Sequence, residues 1–432
     1  MLSVSIFDGR KLLVIMVVLT VILTVESQIS TIADFIPDQL ASSQGIVTFI
    51  GIWAIATGMQ YYILNFVKHN NTESKTKRES LNLIHSIVTV VQFLLTGIIA
   101  LVILQILIAQ EYNTVMLSIA LSISYGLWIM TLGLLAKAFF SWYRSRKNFM
   151  VLIFGLSMVA YVINGVFGIY TQVDELAKRN SLITSGDVAI FPEFPSSIND
   201  VYQIAGSIAY VLTWIATVML LRPYIEKFGK LKFWSIMGAT MAYYLIQFPL
   251  FSLGYYTPSE NSNAMTNILI FSLSAIFTGI IFGVAFLSVA RTLKTNTAVR
   301  NYMVIAAYGF ILFYIAGSTV VLQAAYPPYG LVSVSFTGLS CYLIFNGLYF
   351  SAISVSQDMT LRQSIKKSVM EQSKLLDNIG TAEMEREVQK RVLTVVKKTS
   401  TDMKERTGVE ASMNEGEMKD YLELVIKELR SK

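Results

Sequence analysis

Charge is scarce in this chain, at 14% of 432 residues, where soluble domains carry about 25%. So few solvated side chains cannot enclose a hydrophobic share of 54%, which excludes an ordinary water-soluble fold and points to a lipid-embedded one. Histidine is nearly absent, with only His69 and His85. Most metal centres and histidine-based proton transfers need more, so no metal, no cofactor and no catalytic residue is expected. A lone cysteine, Cys341, rules out an intrachain disulfide. Proline and glycine are nowhere dense enough to favour strands, and the apolar stretches lack the alternation that barrel strands need.

What is present is a series of ten apolar stretches, at 11–25, 45–67, 82–109, 115–140, 149–171, 203–221, 233–253, 267–290, 302–322 and 331–354. Crossing about 30 Å of hydrocarbon takes a helix of roughly 20 residues, which these approach or exceed. The expected class is all-α: a polytopic transmembrane bundle of about ten spans in residues 1–356, then a short amphipathic helical tail in 357–432. The first stretch follows Arg10 and Lys11 as a signal peptide would, but the text after it, TVESQIS, offers no small-x-small cleavage site. It is read as a retained helix.

The net charge of +6 is a matter of topology, and no nucleic-acid partner is expected. Seventeen Lys and Arg fall at one set of stretch ends and only Lys178 and Arg179 at the other. Basic residues stay on the cytoplasmic side, so both termini are placed there, with the chain in the cell membrane and the lipid bilayer as its first partner. No Asp or Glu falls inside the ten stretches; Glu26 is assigned to an outer connection. Pumps, proton-coupled carriers and voltage sensors place ionisable groups at mid-membrane, so coupling by that route is not expected. The tryptophans and tyrosines at the edges, including Trp142, Tyr143, Trp234, Tyr326 and Tyr329, read as headgroup-level anchors.

Neutral polar residues in the stretches, among them His85, Gln92, Asn164, Gln247 and Asn346, more often bond a neighbouring helix than a ligand. Pro249 should kink the seventh stretch. That kink could line a cavity, with Asn164, Tyr243, Gln247 and Asn346 as candidate lining. Ala275, Gly279 and Gly283 lie four apart, and Ala205, Ala209, Thr213 and Thr217 form a second ridge. Small residues so spaced let helix backbones approach closely. An inverted five-plus-five repeat would put broken helices at matching positions, and the sequence does not support one. The longest outer connection, 172–202, carries Pro192 and Pro195 and is the candidate for an external contact.

The tail mixes fifteen basic with fourteen acidic side chains, as exposed helices do. Apolar stripes recur at helical spacing, and three helices are expected. Asn378 and Gly380 read as a helix stop, Thr381 as the cap of a second helix ending at Gly408, and Ser412 with Glu415 as a capping box for a third. Met384, Val388, Val392, Tyr421, Leu422 and Val425 are the candidate docking residues. The stripes must be buried against each other, a second copy or a cytoplasmic protein partner. The tail has no histidine and no glycine-rich nucleotide box, so kinase, cyclase or phosphatase output is not expected, and the chain is not read as an enzyme.

The run SAISVSQDMTLRQSIKKSVMEQSKLLDNIGTAEMEREVQKRV, residues 351–392, resembles the segment after the last span of uncharacterised archaeal membrane proteins. The arrangement as a whole is similar to the multi-span input regions of prokaryotic membrane sensors. The resemblance covers about a tenth of the chain and brings no catalytic residue with it. It implies a sensor- or scaffold-like protein that relays to a cytoplasmic partner through its C-terminal helices, coiled or otherwise paired. The alternative is a permease or carrier for a neutral or apolar solute.

Overall fold

The computed structural model describes residues 9–33, 36–73, 79–183, 196–222, 225, 229–252, 264–293, 297–317, 326–357 and 372–407. Its elements are helices α1 (Gly9–Thr31), α2 (Pro37–Leu40), α3 (Ser43–Glu73), α4 (Glu79–Ala109), α5 (Thr114–Ser145), α6 (Phe149–Ile183), α7 (Ser196–Leu221), α8 (Lys230–Ser252), α9 (Ala264–Thr292), α10 (Thr297–Gly317), α11 (Leu331–Gln357) and α12 (Gln372–Thr407). There is no strand among the described residues. The protein is an all-α membrane bundle: eight of these helices are long and apolar enough to cross a bilayer, and a shorter apolar run, Ile276–Arg291, lies within α9.

Turn chemistry sets the tight connections. Gln110 takes a left-handed φ of 56° after α4, and Asn113 then caps α5, its Oδ1 accepting the Val115 N–H at 2.9 Å. Asn148 does the same for α6, accepting from Met150 N–H at 2.9 Å. An asparagine side chain supplies the acceptor that a first helical turn lacks. Neither cap stands out in the sequence beside the long apolar runs.

Helix α11 is the axis. All of its spanning window is buried, against at most 72% for any other candidate span. Only Tyr349, Ser354 and Gln357 escape full burial. A helix apolar or small all round belongs at the centre of a bundle, since no face of it needs water. Its glycines let neighbours in: a Cβ on Gly347 would stand 2.5 Å from the Tyr302 carbonyl of α10, and one on Gly338 would stand 2.8 Å from the Ser124 carbonyl of α5. From the other side, a Cβ on Gly309 of α10 would stand 2.8 Å from the Ile344 backbone nitrogen. The sequence ridges behave alike. Gly279 and Gly283 of α9 lie against Tyr314, Ile311 and Ala307 of α10, and Ala209 and Thr213 of α7 bond Ser157 of α6. The Ala275 side chain lies outside the described residues. The outer helices carry the exposed apolar side chains, such as Val14, Val21, Val90 and Leu107, which is the surface that hydrocarbon covers.

One expectation is corrected at the start of α11. The first helix does not end near residue 25 but runs to Thr31, so Glu26 lies inside a candidate span and is fully buried. Its Oε1 accepts from Gly330 N–H at 2.8 Å and Val332 N–H at 3.1 Å. Its Oε2 accepts from Ser333 N–H at 2.7 Å and from the Ser333 hydroxyl. The first turn of an enclosed helix has donors that neither its own backbone nor water can satisfy, and a carboxyl group at a helix N-terminus is also favoured by the helix dipole. Beside it, Tyr329 donates to the Gly45 carbonyl at 2.7 Å. Burial, and next the Glu26 charge, push the Tyr329 hydroxyl up to about 12, so it stays a donor at neutral pH. Tyr329, read as an anchor, is buried and ties α3 to the start of α11.

Glu26→Ala should strand three backbone donors, the Ser333 hydroxyl keeping the Leu23 carbonyl at 3.3 Å, and cost roughly 3 kcal/mol or more, while Glu26→Gln, which keeps one acceptor, should cost about 1–3 kcal/mol. Thermal unfolding of the purified variants in detergent checks this order. An alanine variant as stable as the parent would show that α11 does not depend on this cap.

Candidate functional site

The tail helix docks on the bundle. Seven basic residues at helix ends, Lys11, Lys68, Arg144, Arg146, Lys147, Arg291 and Arg300, define one end of the molecule, and α12 packs there against α11 and α5. Leu375, Leu376, Ile379, Ala382 and Glu383 are buried and fall on one helical face. The helix stop expected at Gly380, and with it the cap expected at Thr381, fails here. Gly380 does not stop a helix, because α12 runs unbroken from Gln372 to Thr407; it is the point of closest approach, where an added Cβ would overlap Val355 of α11. Nor can α11 and the tail form one straight rod. Residue 380 would then stand about 37 Å from residue 355, at 1.5 Å per residue, yet the two touch. The tail has folded back onto the last turns of α11. The proposed third helix and its Tyr421, Leu422 and Val425 lie outside the described residues, as does Gly408.

The docking carries a specific polar bond. Trp142, near the end of α5, is fully buried, and its indole N–H donates to Glu383 Oε2 at 2.9 Å. Arg386, one turn on, reaches the same oxygen at 3.4 Å. A buried carboxylate is costly unless bonded, so this pairing is selective: it is satisfied in one register of α12 only. Outside it, Arg146 lies 3.8 Å from Asp377 and 3.4 Å from the Asn378 amide oxygen, a half-exposed contact of small energetic weight. Trp142 reads from the sequence as a lipid anchor; its partner lies 241 residues away, and no local pattern announces it. Beyond Glu383 the helix emerges. Met384 and Val392 are half-buried, and Val388 and Val395 are 48% and 63% exposed.

Of the four candidate cavity residues, only Asn164 and Asn346 have described side chains. The Asn164 amide donates to the Tyr202 carbonyl at 2.8 Å and joins α6 to α7. Asn346 lies in α11, its amide donating to the Tyr342 hydroxyl at 3.4 Å. The side chains of Tyr243, Gln247 and Pro249 lie outside the described residues. Asn346 belongs to a polar seam between α4 and α11: His85 Nδ1 meets the Tyr342 hydroxyl at 2.9 Å, and the Gln92 amide donates to the Ser335 carbonyl at 3.4 Å. Seven residues forward on α4 is seven back on α11, so the two helices run antiparallel in fixed register. Gln92 Oε1 and Asn346 Oδ1 are buried and find no protein donor. Among the described residues no cluster of three or more His, Cys, Asp or Glu is placed to hold a metal.

No family model, no curated protein and no solved structure matches this chain.

Trp142→Phe should remove the indole donor from the buried Glu383 carboxylate and weaken docking by about 1–3 kcal/mol. Gly380→Val, which forces α12 away from Val355, should undock it. Hydrogen exchange over residues 375–386 should accelerate in both variants while α11 stays protected. Unchanged exchange in Gly380→Val would show that the tail does not dock by this face.

Proposed function

We propose that this is a sensor- or scaffold-like membrane protein of ten spans, with both termini in the cytoplasm, that relays the state of its bundle to a soluble partner through the tail. The observation that carries the reading is the Trp142–Glu383 bond beside the Gly380–Val355 contact. A tail helix keyed to the bundle in one register has two discrete states, docked and released, and a switch needs such a bistable element. A change in the packing of α5 against α11 shifts Trp142 relative to Val355, and α12 senses both. The outer half of α12, with Val388 and Val395 seven residues apart and exposed, supplies the partner's apolar contact, which a helix groove would accept. Release acts on the buried half, so the relay is a change of docking and not a piston stroke along one rod.

The polar seam favours a second reading, a permease for a neutral solute, since Gln92 Oε1 and Asn346 Oδ1 are free acceptors within the span region. The two readings part on one comparison. Full-length protein and a version ending after Gln357 are each assayed for partner capture and for solute uptake into proteoliposomes. The relay reading expects capture by the full chain only, strengthened by Gly380→Val if the released tail is the signalling state. Uptake by both forms, with no tail-dependent capture, would replace relay with transport.

A further inference from the structure

A crevice of about 630 Å³ opens at the basic end between α4, α5, α11 and α12. Three cations line it: Lys137 and Arg144 from α5, and Arg386 from the docked tail. Lys137 and Arg144 are two turns apart on one face of α5, about 10 Å along the axis, and both are exposed. Neither makes an ion pair with a described carboxylate. Arg386 is paired with Glu383 at 3.4 Å, through an oxygen that also accepts from the Trp142 indole. The crevice is therefore net positive through Lys137 and Arg144. Its remaining wall is mainly apolar, with Ile84, Leu134 and Phe345, beside the hydroxyl residues Ser141 and Tyr349. Alongside it on α4, Leu83, Ile87 and Val90 are exposed, a flank suited to acyl chains and not to water.

Cations beside an apolar wall at the end of a spanning bundle match one chemistry: a phosphate carried on a hydrocarbon chain. A soluble phosphate would meet the cations but leave the apolar wall wet. A zwitterionic lipid would bring its own cation against three others. We propose that this crevice is a binding site for the headgroup of an anionic phospholipid, its phosphate between Lys137, Arg144 and Arg386 and an acyl chain along Leu134 and Ile84. The volume suits such a headgroup with the first part of its chains. Because Arg386 belongs to α12, the bound lipid bridges the bundle and its tail. The site goes beyond the relay reading and is measured without any partner, so either can fail alone.

The test is native mass spectrometry of the full-length protein released from mild detergent with equal amounts of phosphatidylglycerol and phosphatidylcholine. Phosphatidylglycerol should be retained preferentially, and each of Lys137→Gln, Arg144→Gln and Arg386→Gln should lower that preference by about fivefold. Lys230→Gln, an exposed cation at the start of α8 and outside the crevice, should leave it unchanged. Charge reversal by Arg144→Glu should abolish the preference in protein whose helical content is intact. Leu134→Gln should lower retention without altering the charge. Equal retention of the two lipids by the parent protein, or a preference that survives the three neutralised cations together, would overturn the site. Displacement of the lipid by millimolar inorganic phosphate would also overturn it, by assigning the crevice to a soluble anion.

Discussion

A helix with protein on every side must have its first backbone N–H groups satisfied by protein, and this single requirement organises the bundle. Helix α11 can be the axis because Glu26 of α1 answers Gly330, Val332 and Ser333. The demand reaches outward. To bring Glu26 there, α1 must run past its apolar stretch to Thr31, and the start of α3 must be held close, which Tyr329 does through the Gly45 carbonyl. At the axis itself, glycine and serine trade side-chain bulk for backbone proximity. In lipid, where apolar side chains gain little by leaving one hydrocarbon for another, such dispersion contacts and buried hydrogen bonds supply most of the association.

The two ends of α11 are finished differently. At its start a charged side chain is consumed structurally, and the resulting joint is fully enclosed. At its end, Val355 is met by a separate helix whose buried face is apolar and whose one buried carboxylate is bonded to Trp142. The first joint is a fixed cap. The second is a dock between two helices, and it sits beside three cations. Local openings are drawn from such less enclosed contacts, which is why the basic end, and not the Glu26 end, is the place to look for a response.

A good part of the fold is legible in the residues. Low charge and ten apolar stretches specify an all-helical membrane bundle, because a buried backbone in lipid must satisfy its own hydrogen bonds. The uncharged, small-residue text of 331–354 marks the element that ends up enclosed. Helical spacing of small residues at Gly279 and Gly283 marks a close contact whose partner, α10, the spacing does not name. The tail's stripe is equally legible as helix, since its periodicity is local.

What only the tertiary structure decided are the meanings of single residues whose partners are remote in sequence. Glu26 has the look of a loop acid, Trp142 of a lipid anchor and Gly380 of a helix stop. In each instance the local signal is genuine, but the decisive partner lies far away in the chain: Ser333 is 307 residues from Glu26, and Glu383 is 241 from Trp142. Composition and period determine which segments enter the membrane and as what, because hydration and backbone bonding are local costs. Which helix caps, bonds or admits another is fixed by register between distant segments, and that register exists only once the helices have packed.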